Sequence, residues 1–208
     1  MLESADIVAG KIAVQLRFAP AEAARIALRA MAAAPQVAGD DLPGRLLAAR
    51  EITDAQAAHL RELVASFERA RKVGAYLRLL PREAAHLRPE AVGAVLADLH
   101  RGKWTATLDG ALVGAGLLTA EQARALAGKH RRTLVHEDQK VIERYVAEDF
   151  AGVSKPLTSG NLEADDLFLL VGKRLYLGVE SGPALQVFRL SGSVMQRSAF
   201  HAPDRLAF

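Results

Sequence analysis

His136-Glu137-Asp138 is the densest cluster of histidine and carboxylate in the chain. A zinc hydrolase helix of the H-E-x-x-H type needs a second imidazole four residues after the first, so that both face one metal. Position 140 is Lys140. A helix N-terminus attracts acidic side chains electrostatically, and that accounts for Glu137 and Asp138 without catalysis. The other five histidines are scattered singly. Glu163, Asp165 and Asp166 could offer oxygen ligands for a weak cation site, but they read as a solvated turn that keeps the start of the following strand soluble. Cysteine is absent, which removes disulfides, thiolate metal sites and cysteine nucleophiles. No Walker A segment, strand-following G-x-G-x-x-G or G-x-S-x-G elbow occurs. No catalytic residue, metal site or cofactor is therefore expected; an enzyme whose site is assembled from distant residues stays open as a rival reading.

Two basic knots are the better candidates. Lys129-His130-Arg131-Arg132 closes a helix that begins after Thr119, and Arg69, Arg71 and Lys72 lie together on another helix. Cations at a helix C-terminus complement its dipole. They can also meet an anionic group of a partner. Trp104, the only tryptophan, sits in Gly102-Lys103-Trp104-Thr105 between two helical segments. It is either a half-buried anchor of the turn or an exposed recognition side chain, a role in which Trp is enriched.

The elements that must position these residues follow from pattern. The 208 residues are half apolar and a quarter charged, with a net charge of +3. That balance suits one large or two small globular domains. Residues 1–133 hold 19 of the 27 Lys/Arg and 14 of the 24 Asp/Glu; residues 134–208 hold the other 8 and 10. This bias is too diffuse for a nucleic-acid surface. The acidic start, Met1-Leu2-Glu3-Ser4-Ala5-Asp6, lacks the basic region of a signal peptide. No apolar run reaches the about 18 residues of a membrane span. A cytoplasmic location is expected.

An internal repeat organises the first part. Leu42-Pro43-Gly44-Arg45-Leu46-Leu47 through Ile52-Thr53-Asp54-Ala55-Gln56-Ala57 to Leu60 aligns without a gap with Leu108-Asp109-Gly110-Ala111-Leu112-Val113 through Leu118-Thr119-Ala120-Glu121-Gln122-Ala123 to Leu126. A looser third copy pairs Gly10 with Gly44, Phe18 with Ile52 and Pro20 with Asp54. Thr53-x-x-Gln56 and Thr119-x-x-Gln122 are capping boxes. Each unit reads as a short Gly-bearing helix, a tight turn and a capped longer helix. Such units bury their apolar faces only by stacking.

The run Gly110 to Gln122 resembles the helical repeat at the N-terminus of type II secretion and type IV pilus ATPases, the MshEN-like domain. The resemblance covers about 20 residues per copy. It implies stacked helical hairpins that also serve, detached from the ATPase, as adaptor modules. Family members that bind cyclic di-GMP begin with arginine-leucine-glycine and carry a glutamine near the end of the longer helix. Here Leu42-Pro43 and Leu108-Asp109 precede the glycines, and Lys129-His130 stands at the glutamine's place.

Elsewhere, Ala55 to Leu80 reads as an amphipathic helix broken at Pro81, and Pro89 opens another that ends at Gly102. Thr133 starts a helix whose face is Val141, Ile142, Tyr145, Val146 and Phe150. After turn-rich residues 152–161, Leu167–Val171, Arg174–Val179, Ala184–Leu190 and Val194–Gln196 alternate as strands. The expected class is α+β: a helical repeat domain over 1–132, then a helix covering a small antiparallel β-meander over 133–208. The expected function is a non-enzymatic adaptor or regulatory module that binds another protein. A cyclic-dinucleotide sensor is the second reading. A homo-oligomeric structural component joined through sheet edges is the third.

Overall fold

The computed structural model describes residues 2–33, 40–101 and 106–154, with most of their side chains, and the backbone alone of four short segments between 167 and 197. Among the described residues the chain folds as seven α-helices: α1 (Ser4–Gln15), α2 (Ala21–Ala33), α3 (Leu42–Ala48), α4 (Asp54–Glu83), α5 (Pro89–Arg101), α6 (Leu108–Gly114) and α7 (Ala120–Ala147). A single 3-10 turn follows at Ala151–Ser154.

The starts of these helices are set locally. Thr53 Oγ1 accepts from the Gln56 amide at 3.3 Å, while Gln56 Oε1 accepts from the Thr53 amide at 2.8 Å. Thr119 and Gln122 repeat the arrangement at 3.1 and 2.9 Å. The short helices are capped one unit earlier. Asp41 accepts from the Gly44 amide at 2.8 Å, and Thr107 from the Gly110 amide at 3.4 Å. The repeated glycine follows from this. A Cβ at Gly44 would stand 2.8 Å from Asp41 Oδ1, and one at Gly110 would stand 3.0 Å from Thr107 Oγ1. The capping oxygen occupies the space a side chain would need.

The ends of the short helices are alike too. Each closes on a left-handed residue: Arg17 (φ 57°), Arg50 (φ 60°) and Gly116 (φ 68°). In each, the next amide donates back to the helix: Phe18 to Ala13, Glu51 to Leu46, Leu117 to Leu112. This is the Schellman closure. It corrects the register of the first copy. Arg17 corresponds to Arg50, so Pro20 takes the place of Thr53 rather than Asp54, and Lys11 rather than Gly10 takes the place of Gly44. An L-residue with a side chain is disfavoured at φ near 60°. Arg50→Gly is therefore expected to raise stability by up to about 1 kcal/mol, and Gly116→Ala to lower it by about as much. Thr53→Ala and Thr119→Ala should each cost about 1 kcal/mol. Urea unfolding checks all four.

Two hydrophobic cores result among the described residues. The first gathers α1, α2, α3, the N-terminal half of α4 and the C-terminal end of α7, with Ile7, Ile12, Leu28, Leu46, Leu60 and Phe67 fully buried. The second gathers the C-terminal half of α4, α5, α6 and the N-terminal part of α7 around Tyr76, Leu96, Leu112 and Leu126. The long helices α4 and α7 run antiparallel through both. Phe67 and Val141 lie in the first core, Leu80 and Leu126 in the second.

The α+β expectation is corrected by this body, which is helical and contains no strand. The helix expected to start at Thr133 is the second half of α7, which passes 132–133 without a break. Thr133 Oγ1 donates to the Lys129 carbonyl instead of capping anything. Val141 and Tyr145 fill the first core, so this half-helix serves helices rather than a sheet. Val146, assigned to the same buried face, is exposed. Extended backbone occurs at Leu167–Val171, Arg174–Ser181, Ala184–Ser191 and Val194–Arg197, where no side chain is described. Among the residues whose side chains are described, no β-meander layer is part of the fold. No helix among the described residues is long and apolar enough to cross a membrane.

Candidate functional site

Between the two cores, the facing stretches of α4 and α7 are polar. Arg71 is buried there and donates to Glu68 at 3.1 Å and to Asp138 at 2.8 Å. Asp138 also accepts from the Ser4 hydroxyl at 2.7 Å. Arg78 faces Glu137 at 3.6 Å, and Lys129 pairs with Glu83. Glu137 and Asp138 thus answer cations of α4 from mid-helix. They do not sit at a helix start, the reason the sequence suggested, and His136 beside them is exposed.

On one side of this waist lies a cleft of about 580 Å³. Glu68, Arg69, Lys72 and Tyr76 line it from α4, Leu108 and Asp109 from the start of α6, and His130 from α7. Helical spacing puts Arg69, Lys72 and Tyr76 on one face, at i, i+3 and i+7. Three lining residues carry a buried side-chain atom with no hydrogen-bond partner among the described residues: Glu68 Oε1, Tyr76 Oη and His130 Nε2. Buried polar atoms are nearly always paired, so three at one cleft form an unusual concentration. The Tyr76 and His130 rings meet edge-on, their centroids 5.4 Å apart.

Burial, with the negative charge of Asp109, pushes the Tyr76 hydroxyl up to about 12. Burial also holds the His130 imidazole below its ordinary value, aided by the charges of Arg71 and Lys72 and opposed by the Lys72 backbone and Asp109. The lining residues thus include a phenol, an imidazole and a carboxylate.

The sign of the His130 effect gives a test. The unfolded chain takes up the proton first as pH falls through about 6.5. The stability contributed by neutral His130 is therefore present above that pH and is lost below it. His130→Gln should flatten the decline in stability between pH 7 and 5. A parallel decline in both proteins would contradict this.

The structure brings together four of the residues singled out by sequence: Arg69, Lys72 and His130 line the cleft, and Arg71 braces Glu68 behind it. Lys129 is engaged by Glu83, while Arg131 and Arg132 are exposed away from the lining. Trp104, Glu163, Asp165 and Asp166 lie outside the described residues. Sequence reasoning missed Glu68, Tyr76 and Asp109. Only the i, i+3, i+7 spacing from Arg69 could have pointed to Tyr76.

A second cleft, of about 370 Å³, is lined by Glu3, Asp6, Asp40, Asp41 and Arg61. Its aspartates are already committed. Asp6 accepts from the Glu3 and Leu42 amides, tying the starts of α1 and α3 together. Burial raises its carboxyl above the usual range in spite of those bonds. Asp41 is held low, first by Arg61, and Asp40 by Arg45. This is a structural joint. No group of three His, Cys, Asp or Glu able to hold a metal occurs among the described residues. Comparison of the chain with protein-family models, with curated proteins and with solved structures gave no match.

Proposed function

We propose that this protein is a non-enzymatic adaptor that binds a segment of another protein in the cleft between α4, α6 and α7. The observation that carries the reading is the cleft of about 580 Å³ itself, with Arg69 and Lys72 in its lining beside the apolar Val73, Leu108 and Ala127. The recurrence of capped hairpin units supports it, because stacked units form extended binding surfaces. That support is architectural and weaker than the site itself. A relation to the MshEN-like repeat belongs to the same proposal and rests on residues 42–60 and 108–126. The lining mixes cations with Glu68 and Asp109, which disfavours a nucleic-acid backbone.

The test is site-specific photo-crosslinking in the native cell. A benzophenone amino acid placed at Ala127, in the cleft, should give a discrete adduct with a second protein. The same group at exposed Glu143 should not. Equal labelling from both positions, or no protein adduct from Ala127, would remove the adaptor reading.

A further inference from the structure

We infer that the solvent-facing stripe of α7 is a self-association surface, on which a second copy of this chain packs antiparallel, with Val135 of one protomer against Val146 of the other. The surface is separate from the cleft and does not depend on the adaptor reading. The spacing of its apolar residues, their exposure and the charges beside them carry it.

Among the described residues the exposed large hydrophobic side chains are Ile26, Val135 and Val146, at 57%, 61% and 48% exposure. Val135 and Val146 both belong to α7. Val135, Gln139, Ile142 and Val146 follow at steps of four, three and four residues, the d-a-d-a rhythm of a coiled-coil seam. Gln139 is exposed and Ile142 half-buried. The stripe lies roughly 110° around the helix from Val141 and Tyr145. Those two fill the first core, which leaves Val135 and Val146 in water. The polar member of the seam is partly satisfied on its own helix, because the Gln139 amide donates to Glu143 at 2.8 Å.

The flanking charges select both the occupant and its direction. Arg131, Arg132 and His136 lie toward the N-terminal end of the stripe and Glu143 toward its C-terminal end, all exposed. A stripe with opposite charge at its two ends complements a reversed copy of itself. In an antiparallel pair centred between Lys140 and Val141, Val135 meets Val146 of the second copy and Gln139 meets Ile142. Glu143 then lies on the flank that carries His136 and Arg132 of the second copy. A parallel pair instead sets Glu143 beside Asp138 of the second copy and brings the two Arg131-Arg132 pairs level, like charge by like. A foreign helix of one charge would match one end of the stripe only. The four layers span about 17 Å of helix, and so short a seam buries less than the roughly 800 Å² per partner of a stable interface. The dimer is therefore weak, with a dissociation constant on the order of 100 µM.

Sedimentation equilibrium of the full chain, from about 5 to about 500 µM, should show monomer passing to dimer. Val135→Gln with Val146→Gln should weaken association at least about tenfold while the melting temperature stays level, because both positions are exposed. Ile26→Gln, at the exposed hydrophobic residue of α2, should leave association unchanged. The chain has no cysteine, so introduced ones report the orientation. On mild oxidation, Val135→Cys mixed with Val146→Cys should give a disulfide-linked dimer, and neither variant should do so alone. A monomer at every concentration, a dimer retained by the double glutamine variant, or equal weakening by Ile26→Gln would overturn the inference. So would a cross-link from Val135→Cys alone, or none from the mixture. A photo-adduct from Glu143 of twice the chain's mass would be this dimer; the adaptor's partner, captured from Ala127, is a different protein.

Discussion

Arg71→Ala should lower the unfolding free energy by about 3 kcal/mol, near the lower end of what is lost when one member of a buried ion pair is removed. The arginine side chain is 8% exposed and that of Glu68 is 17% exposed, so its loss strands the Glu68 carboxylate between the two cores. Asp138, at 32% exposure and with the Ser4 hydroxyl as a second partner, recovers some solvation. That places the cost at the low end of the range. The same reasoning predicts partial rescue. Arg71→Met with Glu68→Leu removes both charges and fills similar volume, which often restores stability. Urea unfolding of the single and double variants measures both quantities. A single-variant loss below about 1 kcal/mol would mean that water already solvates the waist.

The parts of this structure that sequence disclosed are those whose causes are local. Thr53 with Gln56 and Thr119 with Gln122 lie within one helical turn, so a capping box can be read before any tertiary structure is known. Gly10 imitates Gly44 and so shifts the apparent register of the first copy by one residue. Gly10 has another reason to exist. A Cβ there would press on Leu28 and Leu42 at 3.3 Å, so the glycine lets α1 approach α2 and α3. Thr133 has the composition of a cap, yet it back-bonds to Lys129 inside an unbroken helix. Only the packing of Val141 and Tyr145 into the first core shows why α7 continues. Alternating apolar residues after 167 suggested a covered sheet, but their periodicity carries no information about whether a helical layer is free to cover them. The cleft was the least legible feature. Tyr76 and His130 meet across two helices that only the antiparallel passage of α4 along α7 brings together. The basic knots were visible as charge, but not the division of labour in which Arg71 is neutralised while Arg69 and Lys72 remain at the rim.

Leu46→Ala and Leu112→Ala should each cost about 3–4 kcal/mol, and each should shift a single cooperative transition. Both leucines are fully buried at matching positions of their repeat units, Leu46 in the first core and Leu112 in the second. Loss of three carbons, one methine and two methyls, at such a site combines the transfer term with that of the cavity left behind. Whether the damage stays local depends on what joins the cores. α4 and α7 each contribute buried residues to both, Leu77 packs against both, and the Arg71–Glu68–Asp138 network ties the helices at the junction. Melting one core would leave half of each long helix without its apolar partner, and a half-helix of that kind is marginal alone. Heat unfolding followed by helix circular dichroism, with amide exchange read separately at α3 and α6, measures the coupling. If Leu112→Ala released α5 and α6 while α1 to α3 kept their protection, the two cores would be independent units, and a cleft built between them could open without unfolding either one.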